Sequence, residues 1–247
     1  MSEGHQAGSR VIAVIPARGG SKRVPRKNIR LFLGEPLIAR TVRLLQQSGV
    51  FSRIVVSTDD AEIAAVAVAA GAEVPFMREA TLANDHASTA PVIRDAIERL
   101  ATMGDTPDIV CAVYPAAVLA VPDDLRRAVA LMQETAEADY VIPVTSFGYP
   151  IQRALRRHAD SSLSMFQPAH YEARSQDLEP AYHDAGQYYV GARAAWLSDR
   201  PFFSAHTRTL LIPRWRVQDI DTLDDWTRAE QIVRLQSLAD EVTDASR

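Results

Sequence analysis

The chain has 247 residues, of which 47% are hydrophobic, with 27 Lys and Arg against 31 Asp and Glu and a net charge of −4. That length buries one sizeable core, and the mild acidity argues against nucleic acid or a membrane surface as the main partner. Cys111, the single cysteine, lies in an apolar run and cannot form an internal disulfide; with a small, polar beginning and no long apolar stretch, the expected compartment is a reducing cytoplasm.

The first apolar run, 11–15, reads as a buried strand. It passes directly into Pro16-Ala17-Arg18-Gly19-Gly20-Ser21-Lys22-Arg23-Val24-Pro25-Arg26-Lys27-Asn28. Arg18, Lys22, Arg23, Arg26, Lys27 and Arg30 crowd one loop of an acidic chain. The self-repulsion calls for a polyanionic ligand, and for a small α/β domain a nucleoside triphosphate is the commonest. GxxxxGK[ST] and GxGxxG are both absent, which excludes a Walker loop and the dinucleotide fingerprint. Gly19 and Gly20 let backbone amides approach phosphate oxygens, Arg18 offers a planar fork, and Lys22 and Lys27 offer point charges. A solvated basic loop is the competing reading; the position after a strand, where open α/β sheets bind ligands, favours the first.

The segment 36–47 has helical spacing, with Gly49 as its stop. A β-branched strand, 53–57, follows. Asp59 then stands at capping-box spacing to Glu62, so helix capping is the better reading of Asp59-Asp60 before the alanine-rich run 63–70. A third strand is expected at 74–76, a helix at 89–103, a strand at 109–113, a helix at 122–137 and a strand at 140–144. Strands separated by helices imply a mostly parallel sheet covered on both faces. From 147 to 180 the helical period disappears among Arg, Gln, Pro and aromatics, which reads as an excursion of short strands and loops. A strand at 188–192, edge strands at 210–212 and 216–218, and a closing helix at 223–238 complete the chain.

Asp219 and Asp221 sit at alternate positions beside the last β-like run, which would point both to one face. Two carboxylates there suit Mg²⁺, which takes a few acidic oxygens and fills its shell with phosphate and water. Helix capping by Asp221 or Thr222 is the equal alternative. Asp224 and Asp225 fit a helix first turn without any function. Ser88 and Thr89 read equally as a helix cap or as ligand contacts, and His183 reads as a loop histidine.

The segment Ile15-Pro-Ala-Arg-Gly-Gly-Ser-Lys22, continuing Pro25-Arg-Lys-Asn28, resembles the signature of the sugar-acid cytidylyltransferases, which make CMP-sialic acid and related CMP-nonulosonates. The similarity runs from Arg10 to Gln231. It is nearest the branch that activates pseudaminic acid, through Val56-Ser-Thr-Asp-Asp60, Val74-Pro-Phe-Met-Arg78, Val144-Thr-Ser-Phe147, Pro150-Ile-Gln-Arg153, Met165-Phe-Gln-Pro168, Arg174-Ser-Gln-Asp-Leu178 and Tyr182-His-Asp-Ala-Gly-Gln187.

The resemblance implies a Rossmann-like, mostly parallel α/β sheet with helices on both faces, of the nucleotide-diphospho-sugar transferase type. It implies a disordered tail over 1–9 and one domain over 10–240, with 147–180 as a dimerisation and sugar-binding excursion. It implies CTP as co-substrate, Mg²⁺ (or Mn²⁺) at Asp219 and Asp221, and catalysis by Arg18, Lys22 and Asp221. The nucleotide would meet Arg18, Gly19, Ser21, Lys22, Lys27, Asn28, Arg78, Asp85 and Ser88. A nine-carbon sugar acid needs an arginine fork for its carboxylate and amides or aromatic faces elsewhere; Gln152, Arg174, Gln176, Tyr182, Gln187 and Tyr188 are the candidates. The assembly implied is a homodimer without nucleic acid or membrane. Tyr114-Pro115-Ala116-Ala117-Val118 departs from the family, because the hydroxyls of its Pro-Thr-Ser-Pro-like turn are missing. The alternatives are the same reaction on legionaminic acid, N-acetylneuraminic acid or KDO, and a non-catalytic CTP-binding regulator.

Overall fold

The computed structural model describes residues 9–82, 88–198 and 200–244. In chain order, β1 (Val11–Pro16) leads through the basic loop to a small hairpin, β2 (Leu31–Phe32) and β3 (Glu35–Pro36). Then come α1 (Leu37–Ser48), β4 (Arg53–Ser57), α2 (Ala61–Ala69), α3 (Thr89–Thr102), β5 (Ile109–Val113), α4 (Pro122–Glu134) and β6 (Tyr140–Ser146). A second hairpin, β7 (Leu155–Arg157) and β8 (Leu163–Met165), lies inside the excursion. It is followed by β9 (Tyr182–Asp184), β10 (Tyr188–Ala192), α5 (Arg193–Trp196), β11 (Thr207–Leu211) and α6 (Leu223–Asp244).

β1, β4 and β5 are apolar at almost every position, as strands covered on both faces must be. They pair in parallel with β1 between the other two. The sheet order is β11-β6-β10-β5-β1-β4, and β9 also pairs with β6. β11 runs parallel to β6, whereas β10 is antiparallel to both β5 and β6. The reason is the connection: β10 returns straight from the excursion without a helical crossover to reverse it.

Alternation along the strands divides the core. Val11, Ala13, Ile15, Val56, Cys111 and Tyr188 pack with α1, α2 and α4. Ile12, Val14, Val55, Val110, Ala112 and Tyr189 pack with α3 and α5. A third cluster joins Val24 of the basic loop to Ile220 and to Trp226, Ala229 and Val233 of α6. Cys111 is fully buried, and burial pushes its thiol pKa up, so it is an inert core residue.

Several expected elements differ. Segment 74–76 is no strand; isolated bridges at Glu73 and Met77 flank it. The edge strand near 210 begins earlier, at Thr207. No strand forms at 216–218, because a 3-10 turn, Arg214–Arg216, occupies the approach and leaves 217–221 irregular. The helix at 122 stops at Glu134 and α6 continues to Asp244. Asp60, not Asp59, caps α2, accepting from the amides of Glu62 and Ile63 at 3.0 Å each. A one-residue change in the helix start transfers the cap and frees Asp59.

Gly191 of β10 is a packing requirement. A Cβ there would lie 2.5 Å from Trp196 Nε1 and 2.7 Å from Tyr140 Cδ1. Trp196 cannot yield easily, since its indole N–H donates to the Val110 carbonyl at 2.9 Å. Gly191→Ala is expected to destabilise the fold by about 2 kcal/mol through overpacking. Urea unfolding reads this directly, and a midpoint equal to that of the wild type would contradict the packing account.

Candidate active site

β1 ends at the carboxyl edge of the sheet, where its extension Ala17 still bonds to the Ser57 carbonyl at 2.9 Å. The basic loop starts there. Asn28, itself buried, donates its side-chain amide to the Arg18 carbonyl at 2.9 Å and closes the loop on itself. Gly19 donates its backbone N–H to Asp59 Oδ1 at 3.0 Å. A Cβ on Gly19 would fall 2.6 Å from Asp60 Oδ2, so this approach admits only glycine. Arg26 takes a left-handed conformation, φ 56°. Its guanidinium binds Asp60 and Glu62 and holds that bend against the start of α2.

The loop forms one wall of a cleft of about 450 Å³. Arg18, Ser21, Lys22, Arg23, Lys27, Asn28 and Arg78 line it, together with Ser88, Thr89, Tyr114, Asp184, Tyr189, Asp219 and Asp221. Arg78 is 6% exposed, and its Nε and Nη2 have no hydrogen-bond acceptor among the described residues. Its Nη2 lies 3.9 Å from Asp59 Oδ1. Burial pushes its pKa down, which is the state of a cation awaiting an anion. Lys27 Nζ donates to the Ile220 carbonyl at 2.7 Å. Burial lowers its pKa, against the attraction of Asp219 and Asp221.

Asp221 meets Arg23 through both oxygens, at 2.7 and 2.8 Å. It does not cap α6. Thr222 does, accepting from the Asp225 amide at 3.1 Å while Asp225 Oδ2 accepts from the Thr222 amide at 2.9 Å. The Thr-x-x-Asp spacing carried that signal. Asp219 and Asp221 therefore face the cleft from an irregular connection rather than from a strand. Ser88 occupies the N-cap position of α3 without making a side-chain cap bond, and Thr89 Oγ1 shares a hydrogen bond with the Tyr114 hydroxyl.

Two carboxylates on a phosphate-binding cleft fit Mg²⁺, which takes few protein oxygens and completes its shell with substrate and water. No cluster of three or more His, Cys, Asp or Glu able to hold an ion occurs among the described residues.

The sugar-acid candidates divide differently. Tyr188 is fully buried in the core on the α1 face; strand alternation places its neighbour Tyr189 in the cleft instead. Gln187 is also buried, donating to the Arg216 carbonyl at 2.6 Å. Arg174 pairs with Asp177 at 2.7 Å, Gln152 donates to the Glu179 carbonyl at 2.9 Å, and Gln176 and Tyr182 are exposed; none of these four lines the cleft of its own chain. Asp85 lies outside the described residues. The sequence reading assigned Asp59 a capping role and marked Tyr114 only as part of a departure from the family turn and Asp184 only within the Tyr182–Gln187 motif; it assigned no site role to Tyr189.

A parallel-cored sheet with a glycine-bearing cationic loop after its first strand and paired acids before its last helix defines a nucleotide-binding transferase. The whole-chain comparisons narrow this. The cytidylyltransferase family model matches residues 12–225, and the chain belongs to that family. A relative in Campylobacter jejuni, named pseudaminic acid cytidylyltransferase, is 43% identical over 87% of this chain and 92% of its own length. A Legionella pneumophila protein named CMP-N,N'-diacetyllegionaminic acid synthase is 34% identical over 93% of this chain and 99% of its own. The structure of CMP:2-keto-3-deoxy-manno-octonic acid synthetase complexed with CTP superposes with TM-score 0.70 at 17% identity, over 92% of this chain and 100% of that one, and shares the fold.

Gly19→Ala is expected to weaken CTP binding about tenfold, roughly 1.4 kcal/mol, because the loop must swing from Asp60. Calorimetric titration measures this, and unaltered affinity would dismiss the close approach at Gly19.

Proposed function

We propose that the protein transfers CMP from CTP to the anomeric hydroxyl of a nonulosonic acid, pseudaminic acid first among them, releasing pyrophosphate. The carrying observation is the convergence of Arg18, Lys22, Arg23, Lys27 and Arg78 on one cleft that Asp219 and Asp221 also line. The relatives named for pseudaminic and legionaminic acid chemistry support this class of acceptor.

In this reading the triphosphate lies along the basic loop, with Arg78 completing the anion site. The sugar hydroxyl attacks the α-phosphorus in line, and pyrophosphate leaves toward Arg18 and Lys22. These cations oppose the charge that builds on the phosphoryl oxygens. Asp219 and Asp221 would hold Mg²⁺, which when bound supplies further charge neutralisation. The chain's own contribution is positioning and preorganised charge, so no nucleophilic side chain is required.

The excursion over 147–180 would serve dimerisation and sugar binding. Leu155, Leu163, Phe166 and Tyr171 are all exposed there, and an apolar set of this kind suits a second copy of the chain. Arg174 and Gln176 would then act on the partner's cleft rather than on their own. The buried free thiol of Cys111 is consistent with a reducing cytoplasm, and no described helix is long and apolar enough to cross a membrane.

Incubation with CTP, Mg²⁺ and a panel of nine-carbon acids, read by product mass, is expected to yield the CMP-sugar with pseudaminic acid. CTP binding without pyrophosphate release on any acid would instead make the protein a non-catalytic regulator. Lys22→Ala is expected to lower kcat by about three orders of magnitude with an unchanged melting curve, and Asp221→Asn to abolish Mg²⁺-dependent turnover. Full activity in either variant removes that residue from the chemistry. Leu163→Arg is expected to shift the sedimentation coefficient to that of a monomer; an unshifted boundary places the interface elsewhere.

A further inference from the structure

One carboxylate in the cleft has no place in the phosphate or metal chemistry. β9 and β10 both pair antiparallel with β6, but in different registers: Val144 faces Asp184, whereas Val141 faces Val190. The chain accommodates the change in a bulge at Ala185, Gly186 and Gln187, with Gly186 at φ +63°. The bulge turns the end of β9 into the cleft and brings Asp184 with it.

Asp184 is firmly held. Its Oδ1 accepts the Gly186 N–H at 2.8 Å, and its Oδ2 accepts the Tyr189 hydroxyl. Tyr189 is itself locked, stacked on Phe202 at 5.0 Å and edge-on to Tyr114 at 5.8 Å. Burial and the Asp184 carboxylate both raise the Tyr189 pKa, so the phenol keeps its proton and remains a donor. Among the described residues Asp184 forms no ion-holding cluster with Asp219 and Asp221. A fixed carboxylate in a cleft that, on the reading above, takes two anionic substrates repels both. It is tolerated where a ligand donates strong hydrogen bonds to it. Its position also selects the ligand: β9 is the return strand of the excursion, and Tyr182 at its start pairs with Ser146, where the excursion departs.

We propose that Asp184 is a specificity-determining residue for the sugar acid, accepting a hydrogen bond from a hydroxyl or acylamino N–H on the sugar, with Tyr189 as its positioning residue. The carboxylate rewards a correctly placed donor and repels an acceptor at the same spot, which discriminates between epimers. This inference rests on the acceptor class proposed above.

The test uses the full-length protein with CTP, Mg²⁺ and pseudaminic acid. Asp184→Asn, close in size, is expected to raise KM for the sugar acid about tenfold, the weight of one charged hydrogen bond. The CTP dissociation constant and the Mg²⁺ half-saturation point are expected to stay at wild-type values. Tyr189→Phe, which removes only the supporting hydroxyl, is expected to raise the same KM by a smaller factor. An unchanged sugar KM in Asp184→Asn overturns the proposal, as does a shift in CTP affinity or Mg²⁺ dependence instead, which would assign the group to the ribose or the metal. Wild-type protein that turns over no nine-carbon acid would overturn the acceptor class and this inference together, whereas an active wild type with an unaffected variant overturns this inference alone.

Discussion

The site depends on fastening two irregular segments that lie almost the whole chain apart. Lys27 and the Ile220 carbonyl it binds are separated by 193 residues, and Arg23 and Asp221 by 198. Polar contacts alone would not hold such a closure, since exposed ion pairs contribute little. The fastening is anchored by apolar burial: Val24 and Ile220, one from each segment, are both fully buried in the cluster built on α6. Val24 follows Arg23, and Ile220 stands between Asp219 and Asp221, so burying the apolar side chains orients these charged neighbours toward the cleft. Helix α6 therefore acts as the clasp that makes one site out of the two ends of the chain.

Charge is sorted along this clasp. The loop after β1 supplies cations, and the segment before α6 supplies acids. The two meet where Arg23 pairs with Asp221, and Lys27 donates to the Ile220 carbonyl of the same segment. In the proposed reaction a triphosphate and Mg²⁺ would bring both signs of charge and would take over both sets of contacts. The exchange keeps the desolvation cost low at each stage, because neither set is left buried and unpaired. Arg78 is different: it is buried, and two of its nitrogens have no acceptor among the described residues.

Much of the architecture was legible because buried parallel strands are written as continuous apolar runs. The strands at Val11, Arg53, Ile109 and Tyr188 emerged at or within a residue of their observed bounds. The basic loop was legible because so many cations in one short stretch of an acidic chain call for anions, some of which the fold supplies: Arg26 binds Asp60 and Glu62, and Arg23 binds Asp221. What escaped the sequence was decided by single-residue parity. Asp59 and Asp60 are equivalent in composition, and only the precise helix start separates a cap from a group that holds Gly19. Tyr188 and Tyr189 are likewise equivalent until strand alternation sends one into the core and the other into the cleft. The acids at 219 and 221 were expected on a strand and stand instead on an irregular segment that follows the Arg214–Arg216 turn, although both still line the cleft.

The excursion exposes a division of labour. The cations that line the cleft lie on the loop after β1 and at Arg78, beside strands and the α6 cluster whose packing fixes positions tightly. The polar candidates for the sugar lie on short strands and turns whose side chains are largely exposed. A segment with so little of its own core is free to differ in length, sequence and orientation without straining the sheet. The bulge at Ala185–Gln187 is where these two regimes meet. It adapts the register of the returning chain to the rigid sheet and, in doing so, presents Asp184 to the cleft at a fixed height. On the proposed reading, acceptor choice can then be altered in the excursion while the cationic wall of the cleft stays anchored in the core, with the bulge carboxylate as a fixed point that only the acceptor must satisfy.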